Sequence, residues 1–240
     1  MISRRTIKLA LANVVPQSVY LFINARVAAK DIAAKRRWEP EIDLLPRFIH
    51  PGDTVLDIGG NHGLYAYHLS RLVGPSGKVH TFEPLPPNLR ILKHTIKTHG
   101  LSNVTLHPCG CGEKPERATF CIPLDRGIPQ LGWGRQGTEG LKFDCEIVRL
   151  DDVIDCRVSF LKIDIEGAEL FALRGAERVV RESRPVILFE AHNHTRDFGY
   201  AQQAVFDFLS QLGYRFFSRS LEPRESFTDT GNYFCTATAT

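Results

Sequence analysis

The sequence contains no long uninterrupted apolar run, although 43% of its 240 residues are hydrophobic. A membrane-spanning helix needs about 18 or more apolar residues in a row, whereas residues 9–23 are broken by asparagine, proline, glutamine and serine. A secretory leader is also disfavoured, because no small-residue cleavage site follows this stretch. These absences favour one compact domain with a real core, and we expect a cytoplasmic protein.

Paired cysteine motifs are missing too. No C-x-x-C spacing occurs, and no histidine pair follows at the spacing of a zinc finger. Cys109 and Cys111 stand too close together for a zinc knuckle. We therefore predict free, mostly buried thiols in a reducing compartment. The six cysteines are Cys109, Cys111, Cys121, Cys145, Cys156 and Cys235.

Acidic residues are scarce at the start of the chain. Residues 1–37 hold eight lysines and arginines but a single acid, Asp31, so residues 38–240 carry 22 basic and 26 acidic residues. We predict that residues 1–37 form a basic helical arm that packs on the domain. Peripheral contact with an anionic membrane surface is the alternative. The acidic body disfavours a groove that follows nucleic-acid phosphates, so no nucleic-acid partner is expected.

Apolar patterns typical of strands and helices alternate from residue 55 onward. Helical patterns follow four of the strands, and such strand–helix–strand units form parallel sheets with helices on both faces. The sequence therefore predicts an α/β, Rossmann-like fold with seven strands. The predicted strands cover residues 55–58, 78–83, 104–107, 158–164, 186–190, 214–217 and 233–238.

Residues 110–150 interrupt this alternation. They contain seven glycines and several prolines, with hairpin-like strands near 118–122 and 143–149. We interpret them as an insertion in the domain 38–240 rather than as a second domain. The insertion is either a lid over a cleft, with Trp133 among its glycines, or a structural hairpin.

The most informative segment is the glycine turn after the first strand. Residues 55–63 read Val-Leu-Asp-Ile-Gly-Gly-Asn-His-Gly, and a helical pattern begins at Leu64. A strand–glycine–helix turn lets a ligand lie against bare backbone, since Gly59 and Gly60 carry no Cβ. Open α/β sheets bind their ligands at this edge, the carboxyl ends of the strands.

Acids stand at or just beyond the ends of four predicted strands: Asp57, Glu83, Asp164 and Glu190. Because parallel strands end at one edge of the sheet, we expect these four side chains to converge on one cleft. Glu83 follows Asp57 by 26 residues, close to the roughly 20-residue interval at which an acid binds an adenosine ribose. An acid in the glycine turn would repel a pyrophosphate, so the electrostatics favour a cationic cofactor, S-adenosylmethionine.

Together these segments resemble the FkbM family of S-adenosylmethionine-dependent methyltransferases. The resemblance covers about residues 38–240 and is most specific in Ile-Asp-Ile-Glu-Gly-Ala-Glu, residues 163–169. It implies a class I methyltransferase domain whose seven-stranded sheet is mostly parallel with an antiparallel terminal strand. It also implies O-methylation of a hydroxyl on a sugar, glycan or natural product.

The family pattern implies the cofactor site residue by residue. Asp57, Gly59, Asn61 and Gly63 match the cofactor loop, and Glu83 matches the acid that binds the ribose. Two further positions depart from the pattern. Gly60 stands where many relatives carry alanine, and Cys109 follows the third strand, where an adenine-contacting polar residue is common. We include both, with Asp164, in the predicted cofactor site.

Three residues are candidates for catalysis. Asp164, Glu190 and His192 stand at the ends of neighbouring predicted strands, where a general base is needed beside an acceptor hydroxyl. The same side chains suit a divalent ion such as Mg²⁺, which catechol-type O-methyltransferases use at these strand ends. We do not favour a metal here. We expect His194 to have no role.

Two other functions stay open at this stage. One is methylation of a nucleic-acid base, although the Asn/Asp-Pro-Pro-aromatic turn usual in such enzymes is replaced by Asp164-Ile165-Glu166-Gly167. The other is a binding module that keeps the fold without turnover. The expected partner is a small-molecule or glycan acceptor, and the oligomeric state is unknown.

Overall fold

The structure is a computed structural model that describes residues 15–125, 128–131, 134–137, 139–191 and 193–238. The strands in these ranges are β1 Thr54–Ile58, β2 Lys78–Phe82, β3 Val104–His107, β4 Gly110–Cys111, β5 Glu116–Ile122, β6 Leu124–Asp125, β7 Ile128–Pro129, β8 Arg135–Gln136, β9 Leu141–Val148, β10 Phe160–Ile163, β11 Val186–Ala191, β12 Tyr214–Ser218, β13 Pro223–Arg224 and β14 Gly231–Ala237. The α-helices are α1 Gln17–Ala33, α2 Leu64–Val73, α3 Pro86–His99, α4 Leu150–Val153, α5 Glu169–Arg174, α6 Glu177–Ser183 and α7 Gln203–Gln211. Short 3-10 helices cover Pro40–Asp43, Leu45–Arg47 and Asn193–Phe198.

The main sheet confirms the predicted fold class. Its strand order is β13-β12-β14-β11-β10-β1-β2-β3. The strands β3, β2, β1, β10 and β11 run parallel, whereas β14 runs antiparallel to both β11 and β12. All seven predicted strands are present, and the two-residue strand β13 adds an unpredicted edge. The chain reverses its direction of travel across the sheet between β1 and β10, which is where open α/β sheets place a ligand.

Alternation along the central strands separates the core into two layers. Val55 and Phe160 are register partners that pack with α2 and the 3-10 helices on one face. Leu56 and Leu161 are partners that pack with α5, α6 and α7 on the other. All four side chains are buried. Asp57 and Lys162 therefore lie on the α2 face, since side chains alternate along a strand.

The described part of the predicted arm is helix α1, which packs against α3. Ala25 and Ala28 contact Ile91, and Ile32 joins Tyr67 and Leu101 in a further buried cluster. No helix within the described ranges is both long enough and apolar enough to span a bilayer. Residues 1–14 lie outside the described residues, and the division into arm and domain stays a prediction.

The insertion forms small sheets of its own. The antiparallel pair β5–β9 is flanked by β4 and β8, giving the order β4-β9-β5-β8, and β6 pairs with β7. The thiol of Cys145 in β9 donates to the Pro84 carbonyl at 3.2 Å, which ties the insertion to the end of β2. Trp133 lies outside the described residues.

Two helical segments differ from the sequence patterns. The sequence pattern from about Gly167 to Val179 predicts a single helix, but the structure splits it into α5 and α6 at Gly175, where a Cβ would lie 1.9 Å from the Gly112 carbonyl oxygen. The insertion therefore packs closely against the chain at this glycine. The pattern over 38–49 predicts a short helix, but the segment forms two 3-10 turns with prolines in their first positions.

Candidate active site

The loop between β1 and α2 is fastened to the neighbouring strand. The backbone N–H groups of Gly59 and Gly60 both donate to the Phe82 carbonyl, at 3.0 and 2.8 Å. Gly59, Asn61 and Gly63 have φ values of 89°, 46° and 91°. Glycine adopts this left-handed backbone at little cost, and asparagine tolerates it better than most residues. The loop therefore enters α2 in a defined shape.

Protein neighbours explain the glycines at positions 59 and 60. A Cβ at Gly59 would lie 2.0 Å from the Asp164 carbonyl oxygen, and a Cβ at Gly60 would lie 2.2 Å from Oγ1 of Thr81. The sequence suggested that these positions leave backbone bare for a ligand. In the structure, the ends of β10 and β2 pack against the loop at the points where a Cβ would stand. In this chain, Gly60→Ala would therefore require the side chain of Thr81 to move.

Glu83 follows β2 directly and is 4% exposed. Its Oε2 accepts from the backbone N–H of Asn61 at 2.8 Å. Its Oε1 accepts from the Leu85 N–H at 2.9 Å and from the Asn88 amide at 3.3 Å. Burial raises the pKa of Glu83 to about 7, and the three hydrogen bonds oppose that rise. The carboxyl group is thus held in one orientation beside the loop.

A row of polar side chains crosses the sheet beneath the loop. Thr81, Asp57 and Lys162 are register partners on β2, β1 and β10. The Thr81 hydroxyl donates to Asp57 Oδ2 at 3.1 Å, and Lys162 Nζ lies 3.8 Å from Asp57 Oδ1. Burial raises the pKa of Asp57, while the charge of Lys162 opposes the rise. Asp57 is fully buried beneath the loop, so its charge would influence a bound ligand through the loop rather than by direct contact.

Asp164 and Glu190 form a pair at the ends of adjacent strands. Their side chains are hydrogen bonded, and burial, the negative charge of Asp164 and this hydrogen bond all raise the pKa of Glu190. Lys162 Nζ donates to Asp164 Oδ2 at 3.2 Å. Glu166 adds a third acid to the same wall, where its Oε2 lies 3.9 Å from Nε2 of His194.

Two cavities meet at the glycine loop. The first, which we name the Glu83 cavity, has a volume of about 270 Å³. The second, the Arg37 cavity, has a volume of about 310 Å³. Gly59, Asn61 and Asp164 contribute to the walls of both. The two cavities are therefore adjacent along the loop.

The insertion supplies part of the Glu83 cavity. Phe120 of β5 and Gly134, next to β8, stand in its wall. Arg135 reaches across to the 3-10 helix that follows β11, where it contacts His194 and lies 3.3 Å from Asp197. The insertion and the end of β11 thus join at the mouth of the cleft.

The segment before the first 3-10 helix supplies the Arg37 cavity. Arg37 Nη1 lies 2.6 Å from Nδ1 of His62, and the hydroxyl of Tyr65 donates to Glu39 Oε2 at 2.7 Å. Burial raises the pKa of Glu39, against the effects of the Tyr65 hydrogen bond and of Lys162. This wall therefore presents one guanidinium group and one carboxyl group.

The structure brings together most of the residues predicted for the site. Gly59, Gly60, Asn61, Glu83, Asp164 and Glu190 line one or both cavities. Asp57 and Gly63 are buried beneath the loop, and Cys109 lies in the apolar core, where burial raises the pKa of its thiol to about 11. His192 lies outside the described residues. The roles assigned to these residues stay predictions.

Sequence reasoning missed several residues of this site. Lys162 is the clearest, because a lysine inside the apolar strand Phe160–Ile163 is itself an unusual signal, yet we gave it no role. His194, expected to have no role, lies in the cleft wall. Arg37, Glu39 and Tyr65 carried no pattern that pointed to a cavity.

Comparison with known proteins places this geometry in a family. Residues 57–216 match the methyltransferase FkbM domain. Methyltransferase 1 of Beauveria bassiana is 28% identical over 151 residues, which cover 53% of this chain and 60% of that protein. Methyltransferase sdnD of Sordaria araneosa is 26% identical over 156 residues, covering 51% of this chain and 60% of that protein. The matched regions thus span about 60% of the length of these relatives.

A solved structure shows the same fold. The methyltransferase FkbM from Methylobacillus flagellatus KT superposes with a TM-score of 0.52 and 22% identity, covering 96% of this chain and 59% of that one. The family match includes the glycine loop, Glu83, Asp164 and Glu190, and extends over more than half of the sequence. This chain therefore belongs to the FkbM methyltransferase family.

Proposed function

We propose that this protein is an S-adenosylmethionine-dependent O-methyltransferase that acts on a hydroxyl of a sugar, glycan or natural product. The observation that carries the proposal is the meeting of two cavities at Gly59, Asn61 and Asp164, at the switch point of the sheet. One cavity contains the oriented carboxyl of Glu83, and the other contains Arg37 and Glu39. Family membership supports methyl transfer, and the names of the Beauveria bassiana and Sordaria araneosa relatives specify no acceptor.

The residues present fit this cofactor. Glu83 keeps one acceptor site, on Oε2, for a ribose hydroxyl, because its three protein hydrogen bonds occupy the other sites of the carboxylate. Arg37 suits the cofactor's carboxylate, and Glu39 suits its ammonium group. Asp57 Oδ1 is buried without a hydrogen-bond partner and adds negative potential below the loop. An acid-rich cleft of this kind favours a cationic ligand over a pyrophosphate.

The chain's own groups then prepare the acceptor oxygen. The bound cofactor supplies an electrophilic methyl group on a positively charged sulfur. Asp164, at the junction of the cavities, receives the proton of the acceptor hydroxyl. The insertion wall with Phe120 excludes water, and holding the acceptor oxygen in line contributes much of the rate. We keep His192 as a predicted neighbour of this site.

Binding of S-adenosylhomocysteine tests the cofactor site. Glu83→Ala removes a carboxylate whose charge-assisted hydrogen bonds are worth about 1.5–3 kcal/mol each. Calorimetry should therefore show affinity reduced at least tenfold. Glu182→Ala, an exposed acid on α6, is the matched control and should bind like the wild type. Equal affinity in the wild type and Glu83→Ala would refute the assignment.

Turnover tests the reaction class. We expect S-adenosylhomocysteine to form in the presence of a member of a panel of glycosides and hydroxylated natural products. A binding module would retain the cofactor with no turnover on any acceptor, whereas methyl transfer to RNA in the same assay would favour a nucleic-acid enzyme.

We also propose a cytoplasmic location, which the free thiols of all six cysteines support.

A further inference from the structure

Lys162 is a charged residue in the middle of the central sheet. It lies in β10, where Phe160, Leu161 and Ile163 are fully buried, and it is itself 4% exposed. A lysine is almost never buried to this extent unless it is paired. Packing gives no reason for a cation at this position, so its contacts must supply one.

The ammonium group of Lys162 touches three elements of the site. Nζ lies 3.2 Å from Asp164 Oδ2, 3.3 Å from the Gly59 carbonyl oxygen and 3.8 Å from Asp57 Oδ1. It also lies 4.8 Å from the ring centroid of Tyr65. Burial alone would lower the pKa of Lys162, but the carboxylates around it outweigh burial and raise the pKa. Lys162 is therefore charged.

Titratable groups from every neighbouring element face the Asp164–Glu190 pair. Asp57 comes from β1, Lys162 from β10, Glu166 from the turn before α5 and Glu169 from the first position of α5. The groups that act on the pair or on its lysine are Asp57, Lys162, Glu166, Glu169, Glu39 and Tyr65. His194 lies 3.9 Å from Glu166. Lys162 directly contacts two of these acids, Asp57 and Asp164.

Two hydrogen-bonded carboxyl groups cannot both be ionised at ordinary pH, so the pair shares one proton. The contact at 3.2 Å joins Lys162 to Asp164. Glu190 faces the negative charges of Asp164 and Glu166, which raise its pKa, and the charge of Lys162 opposes this rise with a smaller effect. Asp164 is therefore the favoured site of ionisation and Glu190 the favoured site of the proton.

We infer that Lys162 is a positioning residue that keeps Asp164 ionised, leaves the shared proton on Glu190 and ties the glycine loop to β10. The inference deepens the proposed function and rests on it for the role of Asp164 as base. It assigns different roles to two acids that the sequence analysis could not distinguish. Asp164 takes the proton of the substrate hydroxyl, and Glu190 donates a hydrogen bond to Asp164.

The pH profile of Lys162→Met tests this assignment. Without the buried cation Asp164 gains a proton at higher pH, so the acid limb of kcat/KM should move up by at least one pH unit. Activity should recover towards the wild-type level at alkaline pH. Lys162→Arg, which keeps a cation, should retain the wild-type acid limb. An unmoved limb, or equal loss of activity at every pH, would mean that Lys162 is only structural.

Infrared titration of the ligand-free protein gives a readout that does not need turnover. Glu83 and Glu169 also contribute protonated carboxyl at neutral pH, because burial raises their pKa values to about 7. The readout is therefore the difference spectrum between wild type and Glu190→Gln, in which we expect the band of one protonated carboxyl group, and a stronger total band in Lys162→Met. Glu190→Gln keeps the buried cation, so this arm remains available if Lys162→Met does not fold. A difference spectrum without a protonated-carboxyl band would overturn the inference. Absent cofactor binding in the wild type would instead refute the proposed function, with the infrared result still deciding the place of the proton.

Discussion

At the scale of single residues, Asp164 combines several contacts at the junction of the two cavities. It stands in the walls of both cavities and contacts Lys162 and Glu190. Its carbonyl oxygen also approaches the glycine loop, where it would meet a Cβ at Gly59. One residue thus combines a structural contact through its backbone with a chemical one through its side chain.

We predict that Asp164→Asn lowers kcat by about 10²–10⁴-fold, the usual contribution of a general base. The amide is nearly isosteric but cannot accept the proton. Single-turnover kinetics would measure the loss at saturating cofactor. Asp207→Asn, on the exposed side of α7, serves as the control and should keep the wild-type rate. Wild-type turnover in Asp164→Asn would remove this residue from the mechanism.

A second prediction concerns Gly60. Its Cβ in Gly60→Ala would stand 2.2 Å from Oγ1 of Thr81, the hydroxyl that donates to Asp57. We expect a loss of about 1–3 kcal/mol in the free energy of unfolding, as for other overpacked sites. Gly137→Ala is the matched control, because no atom stands within 4 Å of its added Cβ. Chemical denaturation of both variants makes the comparison, and equal stability would contradict the packing argument.

Part of this site could be predicted from residue types along the sequence, whereas the rest depends on how the strands are aligned in the folded sheet. The acids at the strand ends could be predicted, since all parallel strands finish at one edge of a sheet. The function of Lys162 depends on register, which aligns it with Asp57 from a strand more than a hundred positions away in the sequence. Register is a property of the assembled sheet, and local patterns do not encode it.

At the scale of elements, helix α1 is held by small and branched side chains against α3 and its surroundings. Ile32→Ala should lower the free energy of unfolding by about 2–5 kcal/mol, because its side chain is completely buried. Val27→Ala, on the exposed side of the same helix, should change it by less than about 0.5 kcal/mol. Thermal melts of the two variants would measure this contrast. Equal melting temperatures would show that α1 does not contribute to the folded domain.

The outer strands β2 and β3 carry a pH-sensitive histidine pair. His80 Nδ1 lies 3.0 Å from His107 Nε2, and Lys78 and Asp155 also act on His80. Burial lowers the pKa of both rings, after which Lys78 lowers that of His80, and His80 lowers that of His107. As pH falls, these histidines therefore bind protons at a higher pH in the unfolded chain than in the folded one. The pair's contribution to stability is lost as pH falls below about 6.5.

We predict that His107→Asn reduces this acid sensitivity. Glu83 and Glu169 act in the opposite direction, since their pKa values are raised to about 7 and they favour the folded state at lower pH. The measurement is therefore the difference between wild type and variant in urea denaturation at pH 5 and pH 8. A difference that does not change between these values would show that the pair titrates normally.

Pattern length explains which elements were predictable. The seven predicted strands of the main sheet cover four to seven residues each, which is enough for an apolar run to be recognised, and each was predicted to within a few residues. The pairs β6–β7 and β5–β8 involve two-residue strands, which show no period at all. The break between α5 and α6 depends on Gly112 approaching from the insertion, a contact that the helical pattern cannot reveal.

At the scale of the whole molecule, the main sheet holds the proposed cofactor site and the insertion closes one side of it. Within the described ranges, no group of three or more His, Cys, Asp or Glu side chains is arranged to hold a metal ion. His192, one of the three candidate ligands, lies outside those ranges, so metal-independent transfer stays a prediction. Turnover after exhaustive chelation should equal that of untreated protein. Loss of activity that Mg²⁺ restores would overturn this expectation.

The contact between Gly175 and Gly112 has a consequence for how acceptor range can change. It ties the start of the insertion to the helical layer, whereas Phe120 and Gly134, farther along the insertion, stand in the wall of the Glu83 cavity. Sequences exchanged between β5 and β9 would therefore change that wall while the anchor at Gly112 stays in place. Chimeras within the family can test whether such an exchange alters which alcohols are methylated.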